Sequence, residues 1–215
     1  MKIWPLAMLT GLLPLIAVLS AFVLSVEAGH VPDCQPLIDG CTTISRTGRQ
    51  GSAFYVFKAL MGPSAGILVV FWWLAAHELR SAWQAPRLAT VVQLLGLVAG
   101  FSLAVYSSLL GSEVSAFAVY RRLGASVFFA SVFLAQLLYI TAVWSRESRY
   151  SWLRRAQFGV VLLQLALGLL SLPLTAWAGE PYKDFWENII EWWIGLLMVL
   201  FFLLCAVAWR DHRLG

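Results

Sequence analysis

The sequence predicts an all-α integral membrane protein, a six-transmembrane-helix bundle forming one domain over residues 1–215, and three observations predict it. Of the 215 residues, 60% are hydrophobic and 12% charged, with a mean hydropathy of +0.79; soluble domains average about 25% charged residues. Six stretches, at about 3–26, 60–79, 88–111, 119–144, 156–177 and 187–209, are apolar for long enough to cross a hydrocarbon layer about 30 Å thick. The breaks between them carry helix-ending residues: Gly29 and Pro32, Pro86 with Arg87, Gly111, the Arg146–Arg155 cluster, and Gly179 with Pro181.

The first stretch follows Lys2 and ends in Val26-Glu27-Ala28, a weak cleavage pattern. Its apolar run of about two dozen residues exceeds the 7–15 of a signal core, so a retained helix is expected. The segment that follows, about 27–58, is the longest polar stretch and too short for a core of its own. Its run "DCQPLIDGCTTISRTGRQGSAFYVFKAL" is dense in turn formers and hydroxyls, which predicts an ordered cap lying over the bundle. Cys34 and Cys41 lie in it, where an oxidising compartment permits a disulfide. Cys205 reads as apolar filler.

Within the next four helices the deepest polar groups are Gln93, Ser102, Tyr106, Gln136 and Gln164, and interhelical hydrogen bonding is the role expected of them. The fourth helix opens on Tyr120-Arg121-Arg122. The sixth opens on "FWENIIEWW", which places Glu187 and Glu191 one turn apart on one face, about 6 Å along the axis. An acid a turn below the headgroups is costly unless it is paired, protonated or facing a wet cavity. Glu191 is therefore expected to face inward and to touch Arg121 or Arg122. Trp72/Trp73, Trp83, Trp144, Trp152, Trp177, Trp186, Trp192/Trp193 and Trp209 fall near the predicted helix ends, as interfacial belts do.

Charge orients the bundle. The side holding both termini carries nine Lys/Arg against three acids, a net of +6; the other carries six against eight, a net of −2. The bias predicts cytoplasmic termini in a cell membrane, with the 27–58, 112–120 and 178–187 segments outside. It also ties the basic pI to topology and anionic lipid headgroups, with nothing that suggests nucleic acid. The three histidines, His30, His77 and His212, form no pair spaced for haem or metal, and no cofactor is expected. Phosphate-loop and dinucleotide patterns are missing from the sequence, and no nucleophile elbow is expected.

Polar anomalies from three segments thus converge on one end: the first loop with Ser45, Arg46 and Lys58, then Arg121 and Arg122, then Glu187 and Glu191. Arginines hold phosphate bidentately, and a neighbouring acid orders them or acts as a base. These residues are the expected lipid-headgroup site; a purely structural Glu191–arginine ion pair is the plainer alternative.

The same stretches resemble the damage-regulated autophagy modulator (DRAM)/SFK/FRAG family, whose relatives include GPI-anchor lipid-remodelling proteins and the CWH-type N-terminal domain. Ile44-Ser45-Arg46-Thr47-Gly48 is similar to that family's first-loop Ile-Ser-Asp-Thr-Gly. Arg121-Arg122-Leu123-Gly124-Ala125 with Phe128-Phe129 is similar to its His-Asp/Asn-x-Gly-Ala…Phe-Phe, and Glu191-Trp192 to its Glu-Trp/Tyr pair. Arg46 stands where the family has Asp, and Arg121 where it has His. The resemblance implies a six-helix bundle and a lipid-linked role. The expectation is a multi-pass protein that binds or remodels a lipid, its headgroup anionic, at the outer leaflet. The alternatives are a non-catalytic accessory or organiser subunit contacting a protein partner through aromatic helix faces and, ranked last, a small-molecule transporter.

Overall fold

A computed structural model describes residues 2–82, 84–111, 115–144, 151–177, 179 and 182–210. Trp83, Ser112, Glu113, Arg146, Glu147, Arg149, Glu180, Pro181, Asp211, His212 and Arg213, which enter the charge and break patterns above, lie outside the described residues. Among the described residues eight helices follow one another: α1 (Trp4–Glu27), α2 (Pro36–Asp39), α3 (Ile44–Thr47), α4 (Gly51–Ser81), α5 (Pro86–Leu109), α6 (Ser115–Trp144), α7 (Ser151–Trp177) and α8 (Tyr182–Ala208). Six of them are long and apolar enough to cross a membrane.

The elements differ from expectation mainly at their polar ends. Helix α4 begins at Gly51, well before residue 60, because Ala53 and Phe57, one turn apart, both bury against the bundle. Lys58, the residue after Phe57, depresses the hydropathy without breaking the helix; its Nζ donates to the Ser108 carbonyl at 2.8 Å and lies over the Phe54 ring. Proline opens α1, α2 and α5, where its missing N–H costs nothing. The aromatic-belt expectation needs correcting at three positions: Trp72, Trp192 and Trp209 are buried in the interior. Trp72 and its neighbour Trp73 stand about 100° apart on the helix, so one turns inward and the other is 51% exposed.

The long helices form a ring. Helix α1 packs between α4 and α8, α5 between α4 and α6, and α7 closes the ring against α8 and, more sparsely, α6. Close approach of α4 and α5 depends on Gly96, where a Cβ would run into the Trp72 side chain. Near the chain-terminal end the ring is filled: Phe71 stacks on Trp209 at 4.9 Å between centroids and meets Phe202 edge-on at 4.9 Å. Alongside them Tyr139 donates to Glu78 Oε2 at 2.9 Å and receives Trp209 Nε1 at 3.2 Å.

At the other end, the segment between α1 and α4 folds onto α8. Cys34 and Cys41 are joined by a disulfide that closes a small loop around α2. Three side chains of α8 donate to carbonyls of this segment: Asn188 to Gly40 (2.7 Å), Trp192 to Thr42 (2.9 Å) and Trp193 to Leu37 (3.1 Å). Ser25 of α1 adds a fourth anchor by donating to Thr47 O at 2.6 Å. Gly40 has φ +54° and presses so closely on Phe185 that a side chain would collide with its carbonyl.

Candidate functional site

Beneath this cap lies a cavity of about 700 Å³, within the usual range for a ligand site. Its walls come from α1, α4, α5, α6 and α8 and from the cap. Helix direction sets the depth of each wall residue. On α8 the lining runs Glu187, Glu191, Gly195, Met198, Phe202, a single stripe from the cap end inward. The fifteen steps from Glu187 to Phe202, at 1.5 Å each, make this shaft, mouth included, roughly 22 Å long. One leaflet with its headgroups is about 20–22 Å thick, so the shaft has the length of one lipid.

The charged lining gathers at the mouth. Arg121, Arg122, Ser45, Glu187 and Glu191 line it, together with Arg49 and Tyr106. Below them the wall is mainly apolar, with Leu15, Val18, Leu68, Leu103, Phe128 and Val199 among its residues. The floor is Phe202, backed by the buried Phe71, Trp72 and Trp209.

Glu191 faces inward, but its partners are not Arg121 or Arg122. Backbone amides of Ser45 and Ile44 donate to its carboxylate, and Arg49 is the arginine whose charge acts on it; no ion pair within 4 Å joins it to an arginine among the described residues. The reason is local. Thr43 caps α3, its Oγ1 accepting the Arg46 amide at 3.0 Å, which leaves the first amides of that turn free to receive an acceptor from α8. A carboxylate satisfied by neutral N–H groups leaves the arginines of α6 unspent.

Arg49 holds the cap side of the mouth. Its Nη2 donates to Ser45 Oγ at 3.1 Å, while its Nε is buried without a partner. Burial, and then the Arg121 charge, push this guanidinium below its usual pKa. Both causes penalise the cation, and an anion arriving between Arg49 and Arg121 would offset both. Tyr106, 7% exposed on α5, stands within electrostatic reach of Glu191, Arg49 and Arg121.

Of the expected site residues, Ser45, Arg121, Arg122, Glu187 and Glu191 meet at one cavity. Arg46 and Lys58 do not. Arg46 follows Ser45 on α3, so it turns about 100° away and is exposed. Lys58 is taken up by Ser108 O. Sequence reasoning missed Arg49, which entered only the charge balance, and gave Tyr106 a bland interhelical role. The spacing Ser45–Arg49, one turn apart, was the available signal.

The ring is not closed evenly around this cavity. Among the described residues, the side-chain links from α6 to α7 and α8 involve Gln136 with Gln164, Tyr139 with Phe201 and Trp209, and Trp144 with Phe158. All fall on the chain-terminal half of α6. On the cap half, Arg122 and Ser126 of α6 and Glu187 and Leu196 of α8 line the cavity and are exposed as well. A lateral seam between α6 and α8 therefore leads from the apolar surroundings to the mouth. Comparison with known protein families, curated proteins and solved structures found no match.

Proposed function

We propose that this protein binds a single membrane lipid, with the headgroup among Arg49, Arg121 and Arg122 and the chain in the apolar shaft. The observation that carries this reading is the shape of the cavity: a polar mouth over an apolar shaft, the two together about as long as one leaflet. The orphaned Nε of Arg49 adds a donor that a headgroup phosphate would satisfy. The short motifs similar to the DRAM/SFK/FRAG family point to the same class of ligand. A filled bundle would favour the accessory-subunit reading, and a shaft open at both ends would favour a transporter; the space beneath the cap and the aromatic floor support neither. The charge bias of the sequence supports a mouth at the outer leaflet with both termini cytoplasmic.

Native mass spectrometry of the protein released from membranes tests this. One phospholipid should stay bound to the wild type. Gly195→Trp, which fills the shaft beside Ile44, should lose it, and Arg121→Gln should weaken its retention by about tenfold. Release of lipid-free wild-type protein, or equal retention in all three, overturns the proposal. For sidedness, single cysteines at the exposed Gln50 and Gln84 should label from opposite faces of the membrane.

A further inference from the structure

The charges at the mouth are unevenly spent, and their remainder specifies a headgroup. Glu191 is faced by the Ser45 and Ile44 amides and by the Arg49 charge. Among the described residues, Arg121 and Arg122 form no ion pair or side-chain hydrogen bond, and Glu187, exposed and one turn nearer the mouth, forms none either. Two cations and one anion therefore line the same opening uncommitted.

A lipid whose headgroup is a phosphodiester alone would use the arginines and bring its charge toward Glu187. That like-charge contact disfavours it. A headgroup that carries a cation a few bonds beyond its phosphate turns the same carboxylate into a partner. Resting on the lipid-binding reading above, we infer that the mouth selects a zwitterionic headgroup, with its phosphate between Arg49, Arg121 and Arg122 and its ammonium on Glu187.

The kind of ammonium follows from what surrounds Glu187. A quaternary ammonium has no N–H to give and is held by faces of aromatic rings. The rings next to Glu187 along α8, Phe185 and Trp186, do not line the cavity. A carboxylate without a cage fits a primary ammonium, which gives it charge-assisted N–H···O bonds. The ligand class is a phosphoethanolamine-type lipid.

The test is lipid exchange in nanodiscs of equimolar phosphatidylethanolamine, phosphatidylglycerol and phosphatidylcholine, followed by mass spectrometry of the bound lipid. Wild type should enrich phosphatidylethanolamine about tenfold over each competitor, the selectivity of one charge-assisted hydrogen bond. Glu187→Gln should lower the ethanolamine-to-glycerol ratio about tenfold, and Glu187→Lys should invert it toward phosphatidylglycerol. Glu27→Gln, the same charge change at an exposed position outside the cavity, should leave the ratio unmoved. Wild type that retains phosphatidylglycerol as well as phosphatidylethanolamine overturns the headgroup assignment and leaves lipid binding standing. Protein that retains no lipid overturns both. Soluble glycerophosphoethanolamine should not displace the lipid at millimolar concentration; displacement would make the ligand a free phosphate ester instead of a lipid.

Discussion

Gly40→Ala would separate local seating of the cap from stability of the bundle. Gly40 sits at φ +54°, a left-handed conformation that costs a residue with a side chain about 1 kcal/mol or more. The added Cβ would collide with the Phe185 carbonyl and stand 2.8 Å from the ring carbon Cδ2, and overpacking of this kind costs about 1–3 kcal/mol. The total is roughly 2–4 kcal/mol. What holds the cap is of the same size: four hydrogen bonds from Asn188, Trp192, Trp193 and Ser25, at about 1 kcal/mol each. The strain is therefore relieved by lifting the cap, and the lifted population should rise on the order of a hundredfold. Amide hydrogen exchange reads this directly. The Ile44 and Ser45 amides, which close on Glu191, should exchange on the order of a hundredfold faster, while amides in the middle of α5 keep their wild-type rate. Unchanged exchange at residues 44 and 45 would refute the seating argument. Equal acceleration in every helix would show that the bundle, and not the cap, carries the strain.

Tyr139→Phe should destabilise the chain-terminal end by about 1–3 kcal/mol in a reversible unfolding assay, because it removes the hydroxyl that Glu78 accepts from. Gln136→Leu should cost about as much, by stranding the buried Gln164 amide whose Nε2 donates to Gln136 Oε1 at 3.0 Å. The double change of both glutamines to leucine should recover most of that loss, since no polar group is then left without its partner. Reducing the Cys34–Cys41 disulfide should cost about 2 kcal/mol, the chain-entropy value for so short a loop, and an unchanged urea midpoint for the reduced protein would contradict it.

The six long helices were legible because length and continuity of apolar sequence are what a bilayer-spanning helix requires, and both can be counted. Helix α4 was read too short for the same reason in reverse: Gly51, Ser52 and Lys58 dilute the hydropathy, while the burial of Ala53 and Phe57 is a property of packing. The site was half legible. Charged residues near predicted helix ends identified Arg121, Arg122, Glu187 and Glu191. Charge counting, however, seeks charged partners, and the groups that receive Glu191 are backbone amides, which every residue but proline carries. Arg46 was grouped with Ser45 by adjacency, although neighbours on a helix point about 100° apart.

The seam between α6 and α8 bears on how such a cavity would be filled. A site that opens sideways draws its ligand from the surrounding leaflet, where lipid is the solvent and is never dilute. Absolute affinity then matters little, because some molecule is always at the opening. Occupancy is settled by competition between neighbours in proportion to their mole fractions, so a change in membrane composition would change the bound state with no change in the protein.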